Sequence, residues 1–511
     1  MMIFLAAFIM SPILLMAGFS WAGERDNPGS GFSQYEGGYV VGIAPKAFPG
    51  GYPENGVNGN IFLGAHSGSK NTEGARNTFV GGYSGKFNTE GHRNTFIGYA
   101  AGYFNTTGGG NTFLGTYSGN FNSTGARNTF LGYAAGFSGR AGHDNSFIGY
   151  NAGRSNTTGE SNTFLGSHAG NLNTEGARNT FVGGHSGKFN TEGHRNTFIG
   201  YAAGYFNTTG GGNTFLGTYS GNFNSEGARN TFLGYAAGYS GRAGYDNSFI
   251  GYNSGYLNTT GAGNTFLGSH AGSANSGGGM NTFLGGYSGK TNSDGEANTL
   301  LGYAAGANSG GSGNTIVGTG AGYHNRAGSG NVFLGFKAGY YEKGSNTLHI
   351  SNRSTTRPLI FGDFDRNIVK VNGMIYEASD ARLKTDIRPL TSSLEKVTRL
   401  KGISYALKAE GAYGKASAAG RDIGLIAQDV EAVIPEVVHT DGYGYKALAY
   451  DRLTPVLVEA IKEQQLIIQR QRDILAEKLR LMEKQQAEIE ALTERISRIE
   501  RLAAGEIKAR P

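Results

Sequence analysis

A serine and a lysine five positions apart, in the run Ser379-Asp380-Ala381-Arg382-Leu383-Lys384, are the residues of this 511-residue chain best placed by type and spacing to do covalent chemistry. A serine hydroxyl is a poor nucleophile until a base takes its proton, and a lysine serves as that base when burial keeps it neutral. On a continuous helix five residues turn through about 500°, which leaves the two side chains roughly 140° apart on the cylinder. The spacing therefore predicts an incoming extended segment that carries Ser379 and bends before Lys384. A polar linker leading into a helix fits the same six residues, so the surroundings decide between the two.

Those surroundings are Ala378-Ser379 followed by "DARLKTDIRPL", then "LKGISYALK", "IGLIAQDVEAVIPEVV" and "YDRLTPVLVEAIKEQ". The four motifs, in this order over about residues 375–465, resemble the intramolecular chaperone domain of phage endosialidases. The resemblance implies a trimeric C-terminal domain that helps a β-rich fibre to fold and is then released by autoproteolysis just before the serine. By the same resemblance Ser379 is the nucleophile, Lys384 its base, and Ala378 the residue whose carbonyl is attacked.

Several elements have to position that junction. Upstream, "NTLHISN", "PLIFGDF" and "NIVKVNGMIYEAS" alternate apolar and polar residues and predict a neck of short strands over 341–378. Downstream, "SSLEKVTRL" predicts an amphipathic helix, "KGISYALK" and "GLIAQ" strands, and "DVEAVI" a helix stopped by Pro435, giving a small α+β domain over 379–455. Gln428 and Asp429 are expected at a strand-to-helix cap and not in an active site. Thr454 is expected to cap a last helix, with Pro455 in its first turn. Over 456–511, Ile461, Ile468, Leu475, Met482, Ile489, Ile496 and Ala503 recur every seven residues, the seam of a coiled coil, here read as a trimer.

Ahead of the neck, over 59–340, an anchor Asn recurs every 17 residues from Asn60 to Asn298 and, after one 16-residue step, at Asn314 and Asn331, giving seventeen units. The block from Asn77 nearly repeats from Asn179, a shift of 102 residues or six units. Gly stands four and eight residues after every anchor, and the residue before the second Gly is always Ala or Ser. Phe stands two residues after the anchor in fifteen of the seventeen units, with Leu300 and Ile316 in the others, a core ladder. Turn sequences such as "NTTG" complete a coil predicted to hold two short strands. Stacked at about 4.8 Å, seventeen coils make a rod roughly 80 Å long. The units loosely resemble the β-roll heads of trimeric autotransporter adhesins, with a longer repeat. One aromatic column per coil looks thin for a monomer, and three packed chains are expected to bury the remaining Leu, Ile and Tyr positions. The fold expected is thus mainly β: a 17-residue-repeat β-roll or solenoid fibre, trimeric, followed by the α+β chaperone domain and a coiled-coil helix.

Composition limits the rest. Gly at 88 residues against 10 Pro marks a repetitive chain, and the absence of Cys rules out disulfides and thiolate metal sites. The net charge of +6 is scattered, which gives no reason to expect nucleic-acid binding. Residues 1–22 are apolar and uncharged and end in Ser20-Trp21-Ala22, as in an export signal or a membrane anchor, and 23–58 read as a Gly-rich spacer or cap. The Gly clusters lack the Lys-Ser/Thr of phosphate loops, and His66, His92, His185 and His194 lack paired ligand spacing, so neither cofactor nor metal is expected. Beyond the single self-cleavage no enzyme activity is expected. The functional reading is an exported, trimeric bacterial surface fibre or adhesin that binds an unidentified cell-surface or glycan ligand, with the self-releasing chaperone at its C-terminus. It touches a membrane only through its N-terminal segment. A prophage tail fibre with the same chaperone is the alternative.

Overall fold

The computed structural model describes residues 41–42, 59–406 and 421–507. The expected export signal over 1–22 and, apart from residues 41–42, the spacer over 23–58 lie outside them. The chain divides into two units, one ending in the neck and one holding the C-terminal residues from Met374 on.

In the first unit every 17-residue unit forms one coil with one three-residue strand, from Ile61–Leu63 to Val332–Leu334. Neighbouring strands pair in parallel and in register, Thr95 opposite Thr112 and Phe96 opposite Phe113. Constant coil length dictates this register, because identical columns fall on top of one another. The Phe rings stack with centroids 4.7 Å apart and planes within 5° at Phe96–Phe113, the spacing of paired strands, and are fully buried.

The prediction of two strands per coil is corrected to one. In the coil from Asn94, Gly98, Ala100 and Gly102 all have positive φ, which an extended strand cannot accommodate. Both glycines are sterically required. A Cβ on Gly98 would lie 2.5 Å from the Gly115 carbonyl oxygen of the next coil, and one on Gly102 would strike the Phe96 ring of its own coil.

The core is also thicker than one aromatic column. Beside the Phe ladder runs the Ala/Ser column (Ala101, Ser118, Ala135), and beside that two ladders of fully buried Asn. In the first, Asn94 Oδ1 accepts from the Asn111 N–H at 2.9 Å, while Asn94 Nδ2 donates to the Gly108 carbonyl at 2.8 Å. In the second, Asn105 Nδ2 donates to Asn88 Oδ1 at 2.7 Å and to the Gly108 carbonyl at 2.9 Å. Most of these amides thus find their partners inside the stack, which makes their burial tolerable, while the Asn122 and Asn292 Oδ1 atoms stay unpaired among the described residues. Because the interior is filled without them, the Leu, Ile and Tyr columns stay at the surface, Ile97 40% and Tyr99 48% exposed.

Antiparallel strands close both ends of the stack. Val41–Gly42 pairs antiparallel with the first coil strand. At the other end Thr347–Ile350 adds in parallel to Val332–Leu334, with His349 in the Phe column, and is followed by antiparallel Ile360–Asp363 and Ile368–Val371. His349 is buried and its Nε2 lies 3.1 Å from Glu342 Oε2. That contact holds the Glu342 carboxyl down to about 2 against the opposing effect of burial. The pair's contribution to the cap is present above the ordinary carboxylate range and is lost as pH falls towards 2.

The second unit is a small mixed domain followed by a long helix. Helix Ser393–Arg399 and strand Ile403–Tyr405 occur where expected, the latter pairing antiparallel with Asp422–Gly424. Helix Ala427–Glu431 carries Gln428 and Asp429, and Pro435 opens a 3₁₀ turn, Pro435–Val437. The hairpin of Val438–Thr440 and Lys446–Leu448 adds two strands that the sequence reading left unassigned. Val430, Ile434, Val437, Leu453 and Val456 form its buried core. The last helix, Leu453–Ile507, starts one residue earlier than Thr454, after a 3₁₀ turn over Tyr450–Arg452, so Thr454 lies within its first turn and Pro455 still forfeits no helical hydrogen bond. Glu463 on this helix accepts from the Ser393 and Leu394 N–H groups at 3.0 and 2.8 Å and caps the first helix, where negative charge is favourable. No helix among the described residues is long and apolar enough to cross a membrane.

Candidate functional site

Residues 374–380 carry no regular secondary structure, and Asp380 is extended at φ −65°, ψ 134°. The chain then makes one 3₁₀ turn, Ala381–Leu383, and leaves it extended at Lys384. Local chemistry fixes that turn. Asp380 Oδ1 accepts from the Arg382 N–H at 2.9 Å, the Arg382 guanidinium grips both Asp380 oxygens, and the Lys384 N–H closes the turn on the Ala381 carbonyl at 3.1 Å. The Arg382 contact holds the Asp380 carboxyl below its usual range, so the cap stays ionised and accepting at neutral pH.

The turn folds Lys384 back over Ser379. Lys384 Nζ donates to Ser379 Oγ at 2.7 Å. This is the reach over which a nucleophile and its base exchange a proton. Ala378, whose carbonyl adjoins the Ser379 nitrogen, lies in the same irregular run, and all three residues are solvent-exposed in the single chain.

One neighbour was missed from sequence. The Glu377 carboxyl, two residues before Ser379, is pushed above its usual range by a hydrogen bond to the Asp451 carboxyl and by the repulsion between them. This contact ties the run before Ser379 to the 3₁₀ turn that leads into the long helix. Their separation in sequence leaves no local signal for the pairing.

Residues 379–439 match the model of the family described as "Chaperone of endosialidase", which begins at Ser379 itself. The chain is also 37% identical over 92 residues to the long tail fiber protein Gp37 of Enterobacteria phage K3, and equally to that of Enterobacteria phage T2. Those matches cover 17% of this chain and 7% of each relative, so the chain spans a small part of the relatives' length. The C-terminal part of this protein is therefore a domain of the endosialidase-type chaperone family.

Proposed function

We propose that the protein is a trimeric fibre whose C-terminal domain drives folding of the three chains and then cuts itself off between Ala378 and Ser379. The observation that carries this is the 2.7 Å contact of Lys384 Nζ with Ser379 Oγ at the start of the matched domain. In the reaction Lys384 takes the hydroxyl proton and Ser379 Oγ attacks the Ala378 carbonyl carbon through a five-membered ring. The C–N bond breaks, its nitrogen receives the proton from Lys384, and Ala378 is left as an ester on Ser379. Water hydrolyses that ester, giving an Ala378 carboxylate and a free Ser379 hydroxyl and amine.

Lys384 has to be neutral to begin, and in the single chain it lies in solvent. Packing of further copies against the exposed turn supplies the missing burial, so cleavage waits for assembly and reports on it. Export to a bacterial surface, by way of residues 1–22, belongs to the same reading. The matched phage tail fibres favour the second one, in which the same self-cleaving fibre serves a virion.

Expression without added protease should yield a fibre ending at Ala378 and the 133-residue fragment from Ser379 to Pro511, both read by intact mass. Ser379→Ala and Lys384→Ala should each leave an uncut, folded trimer, and Ser379→Cys should cut slowly. Processing of the Ser379→Ala chain at the same bond would assign the cut to another protease. The mature N-terminus in the native host separates export from phage assembly.

A further inference from the structure

The column just before the anchor Asn carries arginine in six of the seventeen coils, at Arg76, Arg93, Arg127, Arg178, Arg195 and Arg229, and at Gly110 and Gly212 a glycine interrupts a run of arginines. Each interruption takes away a side chain between two arginines. At Gly212 this leaves a groove of about 500 Å³, floored by Gly211 and Gly212 and walled by Arg178, Arg195 and Arg229, with His194 beside them and Glu160 at its edge.

Three features prepare this groove for an anion. Arg178 and Arg195 are exposed and make no ion pair or side-chain hydrogen bond among the described residues. Arg229 is held in place by a bidentate pair with Asp246 at 2.7 and 2.9 Å, so the far wall is fixed. His194 Nδ1 accepts from the Ala177 N–H at 2.9 Å, which in the neutral ring puts the proton on Nε2 as a donor. The same side-chain arrangement occurs twice. Six coils earlier Arg76, Arg93 and His92 stand around Gly109 and Gly110, His92 Nδ1 accepts from the Ala75 N–H at 2.9 Å, and Arg127 is clamped by Asp144 at 2.6 and 2.8 Å. The two floors match closely, since a Cβ would meet the preceding His carbonyl 3.2 Å from Gly109 and from Gly211.

We infer that these paired grooves bind a chain-like acidic polysaccharide through its carboxylate or sulfate groups, which deepens the fibre reading above by naming its ligand class. Guanidinium forks suit such groups, and each free arginine offers one. The two grooves lie six coils apart along one column, about 29 Å at the spacing of stacked strands. A polymer can occupy both and gain avidity that a single sugar cannot. Nucleic acid is disfavoured because no Phe, Tyr or Trp lines the groove to stack a base.

The test measures binding of the purified full-length chain to immobilised dextran sulfate and polygalacturonate, with neutral dextran and a single-stranded oligothymidine as comparisons, at fixed salt. Wild type should bind one or both acidic polysaccharides and not the neutral one, and the preferred polymer tells sulfate from carboxylate recognition. The fourfold variant Arg76→Gln, Arg93→Gln, Arg178→Gln, Arg195→Gln should weaken binding at least about tenfold. The same charge removed elsewhere on the rod, by Lys86→Gln, Arg140→Gln, Lys188→Gln and Arg242→Gln, should change it less than about twofold. Gly110→Arg with Gly212→Arg fills both notches while adding positive charge, in a column where Arg93 and Arg195 already adopt φ 58°. It should weaken binding although attraction at a distance rises. Equal losses in the two fourfold variants, tighter binding by the filled variant, no binding to either acidic polysaccharide, or oligothymidine binding that follows the same variants would each overturn the inference. Cleavage at Ala378–Ser379, read on the same preparations, reports on the fibre reading separately.

Discussion

The coils and the long helix deal with apolar surface in opposite ways. Most coils fill their own interior with Phe, Ala or Ser and two Asn, the second Asn giving way to Gly139, Gly241, Ser309 and Glu342 in four of them, and need only the coil above and the coil below. The helix Leu453–Ile507 leaves its heptad seam in solvent, with Ile461 63%, Leu475 58% and Met482 62% exposed in the single chain. A rod of stacked coils is complete along its own axis, whereas a bare seam of this length calls for other helices. The demand for partners therefore sits mainly in the C-terminal unit, and the coils contribute an exposed Leu, Ile and Tyr face that needs no covering for the coil itself to stand.

The sharpest way to break this contrast is to disturb register. Deleting one whole unit, Asn94 to Gly110, should shorten the rod and leave it folded. Deleting only Asn94 to Gly102 should destroy the protease-resistant rod, because Phe, Gly and Asn columns no longer coincide. Similar circular dichroism and protease resistance for the two deletions would show that the 17-residue unit is not the unit of stacking. A smaller effect is expected from the seam: Leu475→Ser with Met482→Ser should reduce the proposed trimer to monomers by light scattering while the rod's own melting is unchanged. If the rod melts with the seam, the two regions are not independent. The smallest effect probes the polar core. Asn111→Ala strands the Asn128 N–H and leaves the Gly125 carbonyl with Asn122 Nδ2 as its remaining side-chain donor, and should cost about 1–3 kcal/mol, against less than about 0.5 kcal/mol for exposed Thr107→Ala, read by denaturant unfolding.

What could be read from sequence follows from where the information lies. Seventeen copies in one chain expose the Phe and Gly columns by internal comparison, and both have the roles their chemistry predicts. The Asn ladders were equally visible as a period, yet Asn105 and its equivalents look like turn residues. Their burial depends on bonds to the next coil, which a single unit does not contain. The same holds for the number of strands per coil, since the left-handed conformation of Ala100 and Arg93 is imposed by stacking and not by residue type. In the C-terminal unit the turn between Ser379 and Lys384 was legible because five residues are too few to hide their geometry. The Glu463 cap and the Glu377–Asp451 pair were not, because both join residues distant in sequence.

The antiparallel strands at the two ends of the stack bear on how such a molecule stays a molecule. A parallel, in-register stack of near-identical coils is a template: its last coil presents the hydrogen-bonding edge on which another coil would sit, and two rods could join end to end without limit. Val41–Gly42 at one end, and Ile360–Asp363 followed by Ile368–Val371 at the other, cover those edges with short strands that do not belong to the 17-residue repeat. These short strands thereby act as chain terminators for a potential filament. The protein can lengthen through duplication of whole coils within its gene while each copy keeps a defined length, instead of growing into fibrils from its own ends.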